Sequence, residues 1–191
     1  MDFLEFIKSR RTIRKFKDEP LTAEQLKRYI DAARVAPSAA NIQPLKYIAV
    51  ASPDMSEKIF PLVKWAGYLA GEYNPKDGEH PTAYIAVCAD TSIRQSGYDV
   101  DMGAAVENMI LAALADGVGA CWMGSIDHEK ISELLEIPDN LKLLNMVALG
   151  YPSETPEETY IKDDSIKYYI GENGNLQIPK RSIDDVLIKT F

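Results

Sequence analysis

Lys8-Ser9-Arg10-Arg11-Thr12-Ile13-Arg14-Lys15-Phe16-Lys17 holds six cations and no acid, and arginine rather than lysine fills positions 10, 11 and 14. A guanidinium fork matches the oxygens of a phosphate in a way that an ammonium does not, so the run reads as an anion site. The simpler account is that cations at a helix C-terminus complement its dipole and stand in solvent. A second basic pair, Lys180-Arg181, follows a proline near the other end of the chain. Two such clusters in an acidic chain could converge on one phosphate. The remaining side chains exclude most other chemistry. His80 and His128 have no ligand-spaced partner, so no zinc or iron site is expected. No G-x-S-x-G elbow anchors a hydrolase triad. Gly119 to Gly124 has the outer spacing of a phosphate loop, but Ser125 stands where lysine is required. Gly117-x-Gly119 lacks the third glycine of a dinucleotide fingerprint. With no nucleophile, metal or general base of its own, an enzyme of this sequence needs a bound cofactor to carry its reaction.

The balance of 21 basic against 29 acidic side chains, a formal net charge of -8, works against a general nucleic-acid binder. A chain of 191 residues that is 46% hydrophobic can bury a core as one domain, 1–191. Cys88 and Cys121 lie in apolar stretches without C-x-x-C spacing, which predicts small buried residues, no disulfide and a reducing compartment. The start, Met1-Asp2-Phe3-Leu4-Glu5, has no secretory apolar region. The longest apolar run, Met109 to Ala115, is far short of the ~18 residues of a membrane span. A cytoplasmic location is the expectation.

Hydrophobic spacing supplies the elements that must carry these residues. Phe3, Phe6 and Ile7 predict a short opening helix, and Thr22 with Gln25 a capping box for a second, which Pro37 stops. Leu45 to Ala51 reads as a strand, Ser52-Pro53 as the start of a helix running toward Tyr68, and 71–82 as a loop. Ala83 to Ala89 has the length of a buried strand. Asp99 to Asp116 is a long helix whose only polar side chains between Met102 and Ala115 are Glu107 and Asn108. Such a helix must be covered on more than one side, either as a core helix or as one shared between core and dimer interface; both readings stay open. Ala120 to Met123 and Leu143 to Leu149 read as strands around a helix capped by Asp127. The acidic stretch 153–164 reads as a solvated loop, Tyr168 to Ile170 as a short edge strand and Ile183 to Ile188 as a closing helix. Helices and strands mix without a β-α-β rhythm, so the class is α+β.

The chain resembles the FMN-dependent nitroreductase family over nearly its whole length. The segments that carry the resemblance are Arg10 to Phe16, Ala36-Pro37-Ser38-Ala39-Ala40-Asn41-Ile42-Gln43-Pro44, Asp101 to Met109, Gly117 through Trp122-Met123-Gly124, Leu149-Gly150-Tyr151-Pro152 and Pro179-Lys180-Arg181. The resemblance implies an α+β nitroreductase-like fold, with a central mostly antiparallel sheet flanked by helices. It also implies an intertwined homodimer with two FMN sites at the interface and a C-terminal segment, about 165–191, that embraces the other subunit. By motif match, Arg10 and Thr12 hold the FMN phosphate with Arg11 beside them and Lys180 or Arg181 closing it. Arg14 places a cation at the N1/O2 edge of the flavin, where it favours the anionic reduced form. Pro37, Ser38, Ala39 and Asn41 are the segment one subunit offers to the flavin of the other. Met123 and Gly124 stand where backbone N–H groups meet flavin N5, an approach a glycine permits. Thr12 replaces the family's frequent serine, and Leu45 its frequent aromatic.

On this reading the protein moves hydride from NADH or NADPH through FMN to a small electron acceptor, a nitroaromatic or quinone. No side chain need be catalytic, because the chemistry falls to flavin N5. A reductive dehalogenase or small-molecule dehydrogenase, or a non-catalytic FMN store, are the alternatives. The 65–82 loop, with Trp65, Tyr68 and Tyr73, is the expected lid or wall of the substrate pocket.

Overall fold

The computed structural model describes residues 2–191. Four strands, β1 (Leu45–Val50), β2 (Ala83–Asp90), β3 (Gly119–Met123) and β4 (Leu141–Gly150), form an all-antiparallel sheet in the order β1-β2-β4-β3. β2 is buried along its whole length because both faces are covered. Ala83, Ile85, Val87 and Ala89 meet α2 (Ala23–Arg34) and α4 (Asp99–Ala115). Tyr84, Ala86 and Cys88 meet α3 (Pro53–Ile59), α5 (His128–Leu134) and the apolar residues of the basic run, Ile13 and Phe16. The period of two along β2 thus divides one strand between two cores.

Local signals in the sequence hold where the interaction is local. Thr22 Oγ1 accepts from Gln25 N–H while the Gln25 side chain accepts from Thr22 N–H, closing the capping box that opens α2. Gly117, at φ +75°, ends α4 in a left-handed turn, with Val118 N–H reaching Ala113 O and Gly117 N–H reaching Leu114 O. The helix expected to run toward Tyr68 stops instead at Ile59. Pro61 has no N–H for the next helical bond, so the chain makes one 3₁₀ turn at Phe60–Leu62 and Val63 then bridges Ile126.

α4 is core on one face only. Met102, Ala105, Val106, Met109, Ile110 and Ala113 are buried. Gly103, Ala104, Glu107, Asn108, Leu111 and Leu114, at helical spacing, are only half covered. Apolar residues also stand open at both chain ends. Phe3, Leu4 and Ile7 of α1 (Phe3–Ser9) are exposed. So are Ile183, Val186, Leu187, Ile188 and Phe191 in and after α6 (Ile183–Val186), which is shorter than the helix expected over 183–188.

The acidic stretch 153–164 is not simply a loop. It contains β5 (Glu157–Tyr160), which pairs in parallel with β7 (Leu176–Lys180), itself paired antiparallel with β6 (Tyr169–Ile170). Polar contacts across the strands replace the missing apolar alternation: the Glu157 carboxylate accepts from Asn173 (2.9 Å), Asn175 (2.7 Å) and Gln177 (3.0 Å). Leu176 anchors this small sheet against Ala66 and Tyr73. The three amide donors, Gln177 foremost, hold the Glu157 carboxyl below the ordinary glutamate value of 4.5. Its contribution to stability is therefore present above that value and lost as pH falls through the lower, folded-state value. We expect the protection of amides in 157–180 against hydrogen exchange to fall once pH drops below the ordinary glutamate value, and Glu157→Gln to flatten that acid response.

Cys88 and Cys121 are buried and free, and burial pushes both thiols up to about 11, so they stay protonated. Among the described residues no helix is long and apolar enough to cross a membrane, and no group of three or more His, Cys, Asp or Glu is arranged to hold a metal ion.

Candidate functional site

The basic run is seated on the outer edge of β3 by its apolar members. Thr12 bridges Ala120 in parallel, and Ile13 N–H donates to Ala120 O at 3.0 Å. Ile13 lies across Gly119, where a Cβ would come within 2.8 Å of the Ile13 Cβ, and Phe16 lies across Gly150 at 2.9 Å. These two glycines are needed because the Ile13 and Phe16 side chains press directly onto them, leaving no room for a Cβ. Gly119→Ala would push Ile13, and the arginines on either side of it, off the edge. We expect a loss of about 1–3 kcal/mol, the usual range for overpacking, in urea denaturation.

The arginines part company here. Arg10 touches Glu107 of α4 through Nε at 3.6 Å and lines a cleft of about 170 Å³ with Arg11, Ile13, Leu114, Gly119 and Glu154. Arg11 is committed to the protein: it donates to Lys8 O and Arg10 O at 2.6 Å, and to Glu158 at 2.7 Å. Arg11 thus meets a carbonyl at the helix C-terminus, as the helix-dipole account expects, but it is turned into the protein against Glu158 rather than standing in solvent. Arg14 stands 4.8 Å over the Tyr168 ring, and its Nη1 is buried with no hydrogen-bond partner among the described residues. A buried cationic donor without an acceptor is costly, so this atom marks where an acceptor group fits. Glu154, which the residue types did not single out, holds this stretch in place by accepting the backbone N–H groups of Arg14 and Lys15 and the Tyr73 hydroxyl.

Pro37 to Pro44 forms a second assembly. Ala40, Asn41 and Gln43 all have positive φ, between 52° and 56°. For alanine and glutamine this costs about 1–2 kcal/mol each, a strain that collects at functional turns. The turn is held by Asp101, only 3% exposed, whose carboxylate accepts Ser38 Oγ–H at 2.8 Å and Ala39 N–H at 3.0 Å, while Ser38 Oγ accepts Gln43 N–H at 2.9 Å. Arg94 pairs with Asp101 at 3.7 Å. A second cleft of about 170 Å³ opens beside Pro37, Ser38 and Gln43.

These two groups do not meet within the chain. The turn leads into β1 and the basic run borders β3, the opposite edges of the sheet, three strand spacings or about 14 Å apart. Along α4 they lie at opposite ends, Asp101 and Leu114, about 20 Å apart. Lys180 does come to the side of the basic run. It pairs with Tyr160, two residues beyond the Glu158 that binds Arg11, and shares its face, with a backbone separation of roughly 8 Å from Glu158. Lys180 and Arg181 are exposed. Met123 ends β3 and Gly124 follows it directly. A Cβ at Gly124 would meet only Asn145 Nδ2 at an ordinary 3.6 Å, so nothing in the chain's own packing requires glycine there. Beside it, half-exposed Trp122 donates through Nε1 to Asn145 Oδ1 at 2.6 Å. Of the expected lid aromatics, Trp65 and Tyr73 turn inward and are buried, and Tyr68 stays open at 53% exposure. Tyr68 N–H donates to the Tyr168 hydroxyl at 3.3 Å, with the two rings 4.9 Å apart.

An α+β fold with an antiparallel sheet between helix layers, and an arginine-lined cleft along one sheet edge, defines the nitroreductase-like class. The model of the nitroreductase family matches residues 7–151, and the chain belongs to that family. A relative from Archaeoglobus fulgidus, whose name pairs NADH dehydrogenase with NAD(P)H nitroreductase, is 34% identical over 168 residues, covering 84% of this chain and 91% of its own. The FMN reductase (NADPH) of Bacillus subtilis is 28% identical over 174 residues, covering 78% of this chain and 66% of its own. The crystal structure of a nitroreductase family protein from Clostridium novyi superposes with a TM-score of 0.66 at 31% identity, over 80% of this chain and 87% of that one. The protein is an oxidoreductase.

Proposed function

We propose that the chain is an FMN-dependent NAD(P)H oxidoreductase that works as a homodimer, each site joining the basic run of one copy to the Pro37–Pro44 turn of the other. The division of the site carries this reading: two strained or under-satisfied groups lie at opposite ends of α4, and each is incomplete alone. Two α4 helices packed antiparallel about a two-fold axis would set the Leu114 end of each against the Asp101 end of the other. The half-covered face of Gly103, Ala104, Glu107 and Leu111 is narrow enough for that approach. The exposed apolar residues of α1 and of 183–191 fit arms that wrap the second copy.

The residues present fit FMN. Arg10, Thr12 and Lys180, with Arg181 next to it, would hold the phosphate, and Arg11 would stay in place as a scaffold beside them. The unpartnered Nη1 of Arg14 would meet the polar edge of the ring and favour negative charge there. Gly124, with Met123, would let the ring come against the backbone. Pro37, Ser38, Ala39 and Asn41 would cover it from the second copy. When bound, FMN supplies the hydride relay from NADH or NADPH to a small acceptor such as a nitroaromatic or quinone. Tyr68 and Tyr168 offer an aromatic wall for that acceptor. The FMN reductase name of the Bacillus subtilis relative supports the choice of flavin.

Purified protein is expected to be yellow and to release FMN, not FAD, on denaturation. Anaerobic mixing with NADH and with NADPH is expected to bleach the flavin and to identify the donor. Bound flavin that neither donor bleaches would favour the store; a protein that cannot be loaded with FMN would end the proposal. Size exclusion is expected to give about twice the 21.3 kDa chain mass. A Cβ at Gly103 meets nothing within 4 Å among the described residues of its own chain. Gly103→Leu is thus expected to leave the protomer folded, with a helix gain of about 0.8 kcal/mol, while shifting the protein to monomer and weakening flavin binding.

A further inference from the structure

A carboxylate beside an anion-binding run opposes the charge that run would bind, yet Glu154 lines the same cleft as Arg10 and Arg11. Both of its oxygens are committed. Oε1 accepts the N–H of Arg14 and, at 3.2 Å, that of Lys15, while Oε2 accepts the Tyr73 hydroxyl at 2.6 Å. The neighbouring Ser153 N–H returns a bond to Lys15 O at 3.0 Å. Two successive amides on one carboxylate oxygen fix the backbone at Arg14, and that backbone aims a guanidinium whose Nη1 is buried without a partner among the described residues. Tyr73 is buried in the 65–82 loop, and Lys15 Nζ stands 4.4 Å over its ring, so the clamp also joins the run to that loop.

We propose that Glu154 is a positioning residue that aims Arg14 at the flavin and ties that aim to the 65–82 loop through Tyr73. The inference rests on the FMN reading above. Two effects of the residue have opposite signs, which makes them separable. As a bare negative charge, Glu154 disfavours the anionic reduced flavin, so removing it raises the flavin potential. As a clamp, it holds the Arg14 cation in place, so removing it lowers the potential.

Glu154→Ala, Glu154→Gln, Arg14→Ala and the Glu154→Ala/Arg14→Ala double variant separate these effects through two measurements. In the flavin-free protein, Glu154→Ala is expected to speed hydrogen exchange at the Arg14 and Lys15 amides at least tenfold, and Glu154→Gln, which keeps an acceptor oxygen, to preserve their protection. In the FMN-loaded protein, Glu154→Ala is expected to weaken the preference for reduced over oxidised flavin about tenfold, which is about 30 mV for two electrons. Arg14→Ala is expected to do the same, with no further drop in the double variant, and Glu154→Gln to stay at or above the wild-type potential. A potential raised or unchanged in Glu154→Ala, an additive drop in the double variant, or unchanged amide exchange would overturn the proposal. Failure of the wild type to bind FMN removes the flavin reading and this inference together. FMN binding with a response to Arg14→Ala but none to Glu154→Ala removes the inference alone. Should Glu154→Ala not fold, Tyr73→Phe frees one carboxylate oxygen: a smaller drop of the same sign supports the clamp, and no drop overturns it.

Discussion

Replacing Arg10 and Lys180 together with alanine is expected to weaken FMN binding by more than a hundredfold. A hydrogen bond to a charged group contributes about 1.5–3 kcal/mol, so each cation lost from the phosphate weakens binding by about 10- to 150-fold. The fold has little stake in either side chain. The Arg10 contact with Glu107 is long, at 3.6 Å, and half exposed, and Lys180 is exposed. Such pairs are worth about 0–1 kcal/mol. Titration of flavin-free protein with FMN and with riboflavin separates the phosphate from the ring. FMN affinity is expected to collapse while riboflavin affinity, which lacks the phosphate term, stays near that of the wild type. Equal losses for both ligands would show that these cations do not hold the phosphate.

The largest loss of stability is expected from Asp101→Ala. The substitution strips the Pro37–Pro44 turn of both its anchors, Ser38 Oγ–H and Ala39 N–H, and leaves Arg94 without its carboxylate. Breaking a buried pair by removing one partner costs about 3–5 kcal/mol. At this chain length that is a fall in melting temperature on the order of 10 °C. The strained turn, freed from Asp101, is expected to relax out of its left-handed residues, so flavin binding should fall as well. Asp101→Asn keeps an oxygen for Ala39 N–H and is expected to lose less than half as much. Thermal unfolding of the flavin-free proteins measures the first effect without ligand linkage, and an FMN titration measures the second. An FMN affinity untouched by Asp101→Ala would remove the turn from the site.

The two kinds of residue in the candidate site differ in how far the sequence alone could reveal them. Thr12 is reached only through its match to the family motif, whereas Arg10 and Arg14 were recognisable because guanidinium groups clustered without acids are unusual in a chain of net charge -8. Glu154 was not, since its partners Arg14 and Lys15 lie 140 and 139 residues away and nothing local distinguishes it from the other acids of 153–164. Arg11 looks in the sequence like its neighbours, and only its three acceptors set it apart as scaffold. Trp122 and Asn145 likewise become a pair only across the β3–β4 ladder.

The capping box at Thr22, the helix-ending Gly117 and the apolar run Ala83–Ala89 of β2 were determined by the sequence itself, because the groups involved lie within a few residues of one another. β5 and β7 were not. Their pairing is parallel and non-local, and it depends on Glu157 finding amides on another strand rather than on any hydrophobic period. The α+β class follows from the order of apolar segments. Which sheet edge carries the basic run, and how far it stands from the Pro37–Pro44 turn, is settled only when Ile13 and Phe16 find Gly119 and Gly150, two close approaches that exist nowhere but in the folded chain.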